Sequence, residues 1–379
     1  MSHVALIIPG FARIGGAERQ VILLATGLRQ RGWRVSVVAL SGSGGDAAAE
    51  LIAAGIPFLS LGMRKGLADP RGWMRFHRWL RRESPDVVHA HLPHAVWLAR
   101  WSRLAAPVRV LVDTLHTSST GTLGRRLGYR LSGWFPDRVT AVSRAVAEAY
   151  LLARMATVGK LVVLPNGVDL EAWRPDASIR EAMRRELGLE DEFLWFAAGR
   201  LDPVKDYPTL LWAMVEVPEP ARLVIAGGGP CAGELRRLSA ELGLDRRVRF
   251  LGFEPDVRRW MQAADGFVLS SRWEGLPMAL LEAAACALPA VATDVPGTRE
   301  VIVQGVTGYL AVAGSAIALQ GAMTRMMRTP AEERKAMGER ARQFVLERFG
   351  LEAVLDRWED LYADLLKRNP RPARRGHAK

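Results

Sequence analysis

The chain has 379 residues, 49% of them hydrophobic and 24% charged, the composition of a globular protein long enough for two domains with substantial cores. Its net charge of +12 is uneven: residues 1–166 hold 22 Lys and Arg against 9 Asp and Glu, residues 167–349 hold 23 against 26, and residues 350–379 hold 7 against 5. Two cysteines without metal-ligand spacing, a short first apolar run and no uncharged apolar stretch of about 18 residues argue against a disulfide scaffold, a secreted protein and a membrane span.

These features predict a cytoplasmic protein whose basic first half meets an anionic partner. No nucleic-acid motif or basic-aromatic groove is present, so an anionic membrane face or a phosphate-bearing lipid acceptor fits that half better.

Val4–Pro9 reads as a buried strand, and the loop from Ile14 to Glu18, with Gly15 and Gly16, opens a helix running to about Arg31. Strand, glycine loop and helix begin a doubly wound α/β domain. The Gly-x-Gly-x-x-Gly fingerprint of dinucleotide binding is absent. Gly15 and Gly16 either serve a tight turn or let backbone N–H groups approach an oxyanion.

Further strands are expected at Arg34–Leu40, Ile56–Leu59, Asp86–Ala90, Val108–Asp113 and Asp137–Ser143. Residues 71–83 form a basic amphipathic helix. Its aromatics mark a membrane-contacting face, or else Trp73, Phe76 and Leu80 pack inward. His91, His94 and His116 follow strands, where they face a ligand or are satisfied polar residues. Residues 121–136 read as a mobile basic-aromatic element at an acceptor or membrane edge. The turn Pro165-Asn166-Gly167 marks a hinge.

The alternation restarts at Phe193–Ala198 and leads into Gly199-Arg200-Leu201-Asp202-Pro203-Val204-Lys205. Arg200 and Lys205 converge on one anion or are solvated loop charges. Strands follow at Leu223–Ala226, Val248–Gly252 and Phe267–Ser270, and Gly227–Gly229 form a bare-backbone loop.

Then comes Ser-Arg-Trp-Glu-Gly-Leu-Pro-Met-Ala-Leu-Leu-Glu, residues 271–282. A helix is expected to begin at Pro277, with Met278, Leu281, Cys286 and Leu288 forming an apolar stripe and Glu282 at its margin. Free amides of Gly275, Met278 and Ala279 beside Glu274 suit a phosphate. The alternative is a turn glutamate at 274 and a salt-bridged Glu282. Residues 315–349 read as helical and 351–366 as an amphipathic helix. The basic tail from Lys367 is expected to be disordered.

The stretch from Ser271 to Pro289, followed by Gly297-Thr298-Arg299-Glu300, resembles the family-four retaining glycosyltransferases of the GT-B fold. So do the Gly-Gly-Ala-Glu loop, Pro-Asn-Gly and Gly-Arg-Leu-x-x-x-Lys, in order along almost the whole chain. The resemblance implies an α/β, GT-B architecture: two Rossmann-like doubly wound parallel-sheet domains facing a central cleft, with the C-terminal helix crossing back to the first. The boundaries expected are 1–166 for an acceptor-side domain completed by 350–368, 167–349 for a nucleotide-sugar donor domain, and 369–379 for the tail.

It further implies a retaining, metal-independent hexosyltransferase that moves sugar from a nucleotide-diphosphate donor to a glycan or lipid-linked acceptor in cell-surface polysaccharide synthesis. No cofactor and no metal are expected. Arg200 and Lys205 would clamp the diphosphate, Glu274 the sugar hydroxyls, Glu282 the ribose, and His116 the sugar or acceptor side. The loops carrying Gly15, Gly16, Gly275, Leu276, Met278 and Ala279 would line the donor. A scaffold subunit that binds nucleotide sugar without turnover and a GT-B sugar-nucleotide epimerase are the alternatives.

Overall fold

The computed structural model describes residues 1–11, 15–64 and 69–370. Two compact units divide the chain, Met1–Gly167 with Glu352–Lys379, and Val168–Leu351.

In the first unit the elements are β1 (His3–Ile8), α1 (Gly16–Gln30), β2 (Arg34–Ala39), α2 (Gly45–Ala53), β3 (Phe58–Ser60), α3 (Pro70–Glu83), β4 (Val87–His91), α4 (Pro93–Ser102), β5 (Val110–Leu115), α5 (Leu123–Leu131), β6 (Arg138–Ala141), α6 (Arg144–Leu152) and β7 (Leu161–Val163). The seven strands form one sheet in the order β3-β2-β1-β4-β5-β6-β7, every pairing parallel. Buried on both faces, the central strands read as continuous apolar runs, as in Val4-Ala5-Leu6-Ile7-Ile8.

The second unit holds α7 (Ala177–Glu186), β8 (Phe193–Ala198), α8 (Tyr207–Glu216), β9 (Ala221–Ala226), α9 (Ala232–Glu241), β10 (Val248–Gly252), α10 (Val257–Ala263), β11 (Gly266–Leu269), α11 (Met278–Ala285), β12 (Ala290–Thr293), α12 (Pro296–Arg299), β13 (Gly308–Ala311), α13 (Ala316–Arg328) and α14 (Ala331–Phe349). Its parallel sheet runs β10-β9-β8-β11-β12-β13. The core on one side packs Trp195, Leu210, Met214, Leu223, Ile225 and Met323 together.

Helix α15 (Leu351–Arg368) closes the first unit. Leu355 sits so close to α1 that a Cβ on Gly27 would lie 2.4 Å from it, so glycine is the residue that lets these helices approach. Arg31 reaches the carboxylates of Glu352, Asp356 and Glu359 at 2.6–2.7 Å. At the other end Arg109 donates to the carbonyls of Leu366, in the last turn, and Asn369, just beyond it.

Several expectations change. The helix near Glu274 begins at Met278, not Pro277, whose ψ of 108° is extended and which acts as the N-cap. Its apolar surface is not a stripe: only Ala279 and Glu282 escape burial along α11. In α3 the inward-packing alternative holds for Phe76 and Leu80, which are buried together with Trp79, while Trp73 is only half-buried and Arg71, Arg75 and Arg78 lie outside. The stretch expected to be mobile forms α5 and buries Tyr129 and Phe135. Pro330 splits residues 315–349 into two helices, because proline lacks the N–H a continuing helix needs. Lys367 and Arg368 still belong to α15; the rest of the tail call, from Arg371, lies outside the described residues.

Candidate active site

In a doubly wound sheet ligands gather beyond the carboxyl ends of the strands where the order reverses. In the second unit that point lies between β8 and β11, and two loops meet there. After β8, Asp202 turns the chain by accepting from the Val204 N–H, and Asp206 takes a left-handed conformation (φ 49°) to start α8. After β11, Ser270 Oγ donates to the Lys205 carbonyl and the Arg272 N–H to that of Val204. Each loop is thereby stitched to the other.

Their side chains complete the junction. Lys205 Nζ lies 2.6 Å from Glu274 Oε1, and Ser271 Oγ donates to the same oxygen at 2.6 Å. Both partners are largely buried, at 19% and 11% side-chain exposure. Tyr207 is buried nearby, its hydroxyl pushed upward by desolvation and then by the Glu274 and Asp202 charges.

The segment from the end of β12 into α12 holds the glutamate in place. A Cβ on Gly297 would lie 2.6 Å from the Glu274 carbonyl oxygen, so only glycine fits against this backbone. Thr293 donates to the Ser271 carbonyl at 2.5 Å, and Thr298 to the Thr293 carbonyl at 2.6 Å. On the β8 side, Gly227 has φ 139°, and a Cβ there would meet the Gly199 carbonyl at 1.9 Å.

Arg200 does not join the ion pair. Its side chain is 63% exposed, with Nε 3.5 Å from Asp202, so the two basic residues of this loop are held differently, one seated and one outward. Glu282 stands half-buried one turn after Ala279 on α11, and its charge adds to the burial that pushes the Cys286 thiol up to about 12. Arg342 donates to the Ala285, Trp173 and Leu170 carbonyls, closing the end of α11. Gly275, Met278, Glu274 and Glu282 each have an interaction within the protein. Leu276 is buried.

In the first unit the order reverses between β1 and β4. Gly15 caps α1 and Gly16 begins it, both exposed, and the Glu18 carboxylate accepts from the Gly15 N–H at 3.1 Å. Ile14 of that loop lies outside the described residues. At the ends of β4 and β5, His91 Nδ1 and His116 Nε2 stand 3.0 Å apart. His89, two residues before His91 on β4, bonds Thr114 at 2.6 Å and the α15 residue Tyr362 at 2.7 Å. Burial holds all three imidazoles below their ordinary range, His116 at about 4. His94 sits exposed in the first turn of α4 and joins neither group.

Sequence reading missed Ser271, Tyr207 and Gly297 as parts of the second-unit site, and His91 as the partner of His116. The Ser-Ser pair following β11 was a usable signal for Ser271. Gly297 lies in the resembling Gly297-Thr298-Arg299-Glu300 segment, and nothing local marks Tyr207 or His91. Among the described residues no group of three or more His, Cys, Asp or Glu is placed to hold a metal ion.

Two all-parallel doubly wound units, each gathering polar groups at its switch point, form the GT-B architecture. Residues 14–172 match the model of Glycosyltransferase Family 4 and residues 179–344 that of Glycosyl transferases group 1. D-inositol 3-phosphate glycosyltransferase of Xylanimonas cellulosilytica is 31% identical, over 96% of this chain and 94% of that one. The UDP-Gal:alpha-D-GlcNAc-diphosphoundecaprenol alpha-1,3-galactosyltransferase of Escherichia coli is 26% identical, over 79% and 81%. The solved structure of Anabaena HepE with UDP-glucose superposes with a TM-score of 0.86 at 23% identity, over 95% and 99%. The chain belongs to glycosyltransferase family 4.

Proposed function

We propose that this enzyme transfers a hexose, with retention and without a metal, from a nucleotide-diphosphate sugar to a glycan or lipid-linked acceptor in cell-surface polysaccharide synthesis. The observation that carries the reading is the seated Lys205–Glu274 pair at the switch point, with exposed Arg200 on the same loop. A lysine held by a carboxylate in a shielded site is preorganised to meet negative charge that grows elsewhere.

In this reading Lys205 and Arg200 neutralise the diphosphate as the bond from the anomeric carbon to phosphate oxygen breaks. That electron pair leaves with the nucleotide. The acceptor oxygen bonds the anomeric carbon on the same face, and its proton passes to the departing phosphate. Glu274 orders the sugar hydroxyls and Glu282 the ribose hydroxyls. The backbone from Gly275 through Leu276 and Met278 to Ala279 lies along the donor. In the first unit His116 and the loop of Gly15 and Gly16 serve the sugar or acceptor side. The E. coli relative's stated donor, UDP-Gal, and its diphosphoundecaprenol acceptor support both substrate classes.

The enzyme works at the cytoplasmic face of an anionic membrane, which it meets through the basic first unit. Helix α5 favours this: Leu123, Leu127 and Leu131 line one exposed arc, Trp134 follows, and Arg126 and Arg130 flank it. No acidic residue lies between Thr114 and Pro136. Among the described residues no helix is long and apolar enough to cross a membrane.

Thermal unfolding with a panel of nucleoside diphosphates and their sugars, with and without EDTA, tests the donor site. One nucleotide class should raise the midpoint by mass action, corresponding to about 2.7 kcal/mol at a hundredfold excess over Kd. EDTA should leave the shift intact, whereas Lys205→Ala and Glu282→Ala should abolish it. A shift that needs a divalent ion would refute metal independence. Binding without nucleotide release, whatever the acceptor, would replace the transferase with a scaffold subunit.

A further inference from the structure

The His91–His116 hydrogen bond has a direction, and the surroundings of His91 decide it. One of the two facing nitrogens must carry the proton. His91 is buried, and its Nε2 is buried without a hydrogen-bond partner in the structure. If His116 were the donor, neutral His91 would hold its own proton on Nε2, an N–H buried without an acceptor. Such orphaned donors are rarer and costlier than an unfilled acceptor lone pair.

The opposite direction places the His91 proton on Nδ1 and leaves only a lone pair unmet. A doubly protonated ring is disfavoured by burial and by the His89 ring, whose centroid lies 4.0 Å from that of His91. His89 is held at both nitrogens by Thr114 and Tyr362 and stays out of the exchange. Arg100 on the neighbouring α4 pairs with Asp113 at 2.8 Å and also donates to the Tyr129 carbonyl and Ser132 Oγ. Leu92, next to His91, has φ 68° and ψ 153°, a conformation almost confined to glycine, so the surrounding fold over-determines the end of β4.

We infer that His91 is a positioning residue whose Nδ1–H donates to His116 Nε2, fixing His116 as the Nδ1–H tautomer. His116 then offers its free side as a neutral hydrogen-bond donor to a ligand oxygen, and it is not a general base. The ligand part rests on the site reading proposed above; the tautomer does not.

The test uses the full chain with ring-15N-labelled histidine near neutral pH and no substrate. His116 is assigned by loss of its signals in His116→Gln. Its spectrum should show a protonated Nδ1 and an unprotonated Nε2. His91→Leu should move the proton to Nε2, the form free imidazole prefers, and His91→Asn, whose amide can donate from the same place, should restore it. A wild-type His116 protonated on Nε2, or one unmoved by His91→Leu, would overturn the inference.

In turnover, His91→Leu should lower kcat on the order of tenfold, the worth of one hydrogen bond, with donor KM little changed, and His91→Asn should recover most of it. Should His116→Gln itself leave transfer intact while the spectra behave as stated, the assignment of His116 to the active site fails and the tautomer stands.

Discussion

The two switch points solve opposite electrostatic problems. In the second unit a lysine and a glutamate are paired at 2.6 Å, with Ser271 Oγ donating to the same carboxylate oxygen. In the first unit three histidines are kept neutral by burial and by one another. Charge that must meet a leaving phosphate is best held preformed, because its reorganisation is then complete before the bond breaks. A group that must only donate a hydrogen bond is best held without charge, since a neutral ring tolerates desolvation that an imidazolium would not. The same topology thus supports either device, and the side chains at the strand ends choose between them.

Breaking the charged device should have the largest effect. Lys205→Ala is expected to lower the transfer rate on the order of 10²–10³, measured as nucleotide release at saturating donor. A loss under tenfold would mean that Lys205 serves the loop's structure and Arg200 alone meets the phosphate.

The first unit also contains one fully buried ion pair, Arg100–Asp113, behind β5. Burial raises the Asp113 carboxyl although Arg100 pulls it down. Arg100→Met leaves that carboxyl uncompensated and should cost about 3–5 kcal/mol in denaturant unfolding. If the cost is small, the contrast between a charged and a neutral unit is one of ligand sites only.

The gentlest probe is pH. His89, His91 and His116 bind protons more weakly when folded than at their unfolded value of 6.5, His116 at about 4. Between those values the unfolded chain holds more protons, so stability is complete above pH 6.5 and falls as the pH drops toward 4. The midpoint of the wild type should therefore fall in that window, and His116→Gln should flatten the fall. An equal slope in the variant would place His116 in contact with solvent.

Much of this was readable in the chain itself. Apolar runs such as Val4–Ile8 and Phe193–Ala198 carry the central strands, since a strand covered on both faces needs no alternation. The short strands β7, β12 and β13 escaped notice because three or four residues carry too little pattern to separate from loop. Arg200, Lys205 and Glu274 stood out by residue type and by the loops that bear them, and the family resemblance spans both units.

Sequence by itself therefore determined the fold class, the family and the loops that hold the chemistry, because these rest on local pattern and on motifs a few residues long. Only the tertiary structure decided which groups act together. Lys205 meets Glu274 across 69 positions, His91 meets His116 across 25, and Tyr362 reaches His89 across 273. Such pairings depend on which strands are neighbours and on where α15 packs, and no single stretch of chain encodes either. The same packing keeps the three histidines neutral, since burial is set by the neighbours and not by the residue.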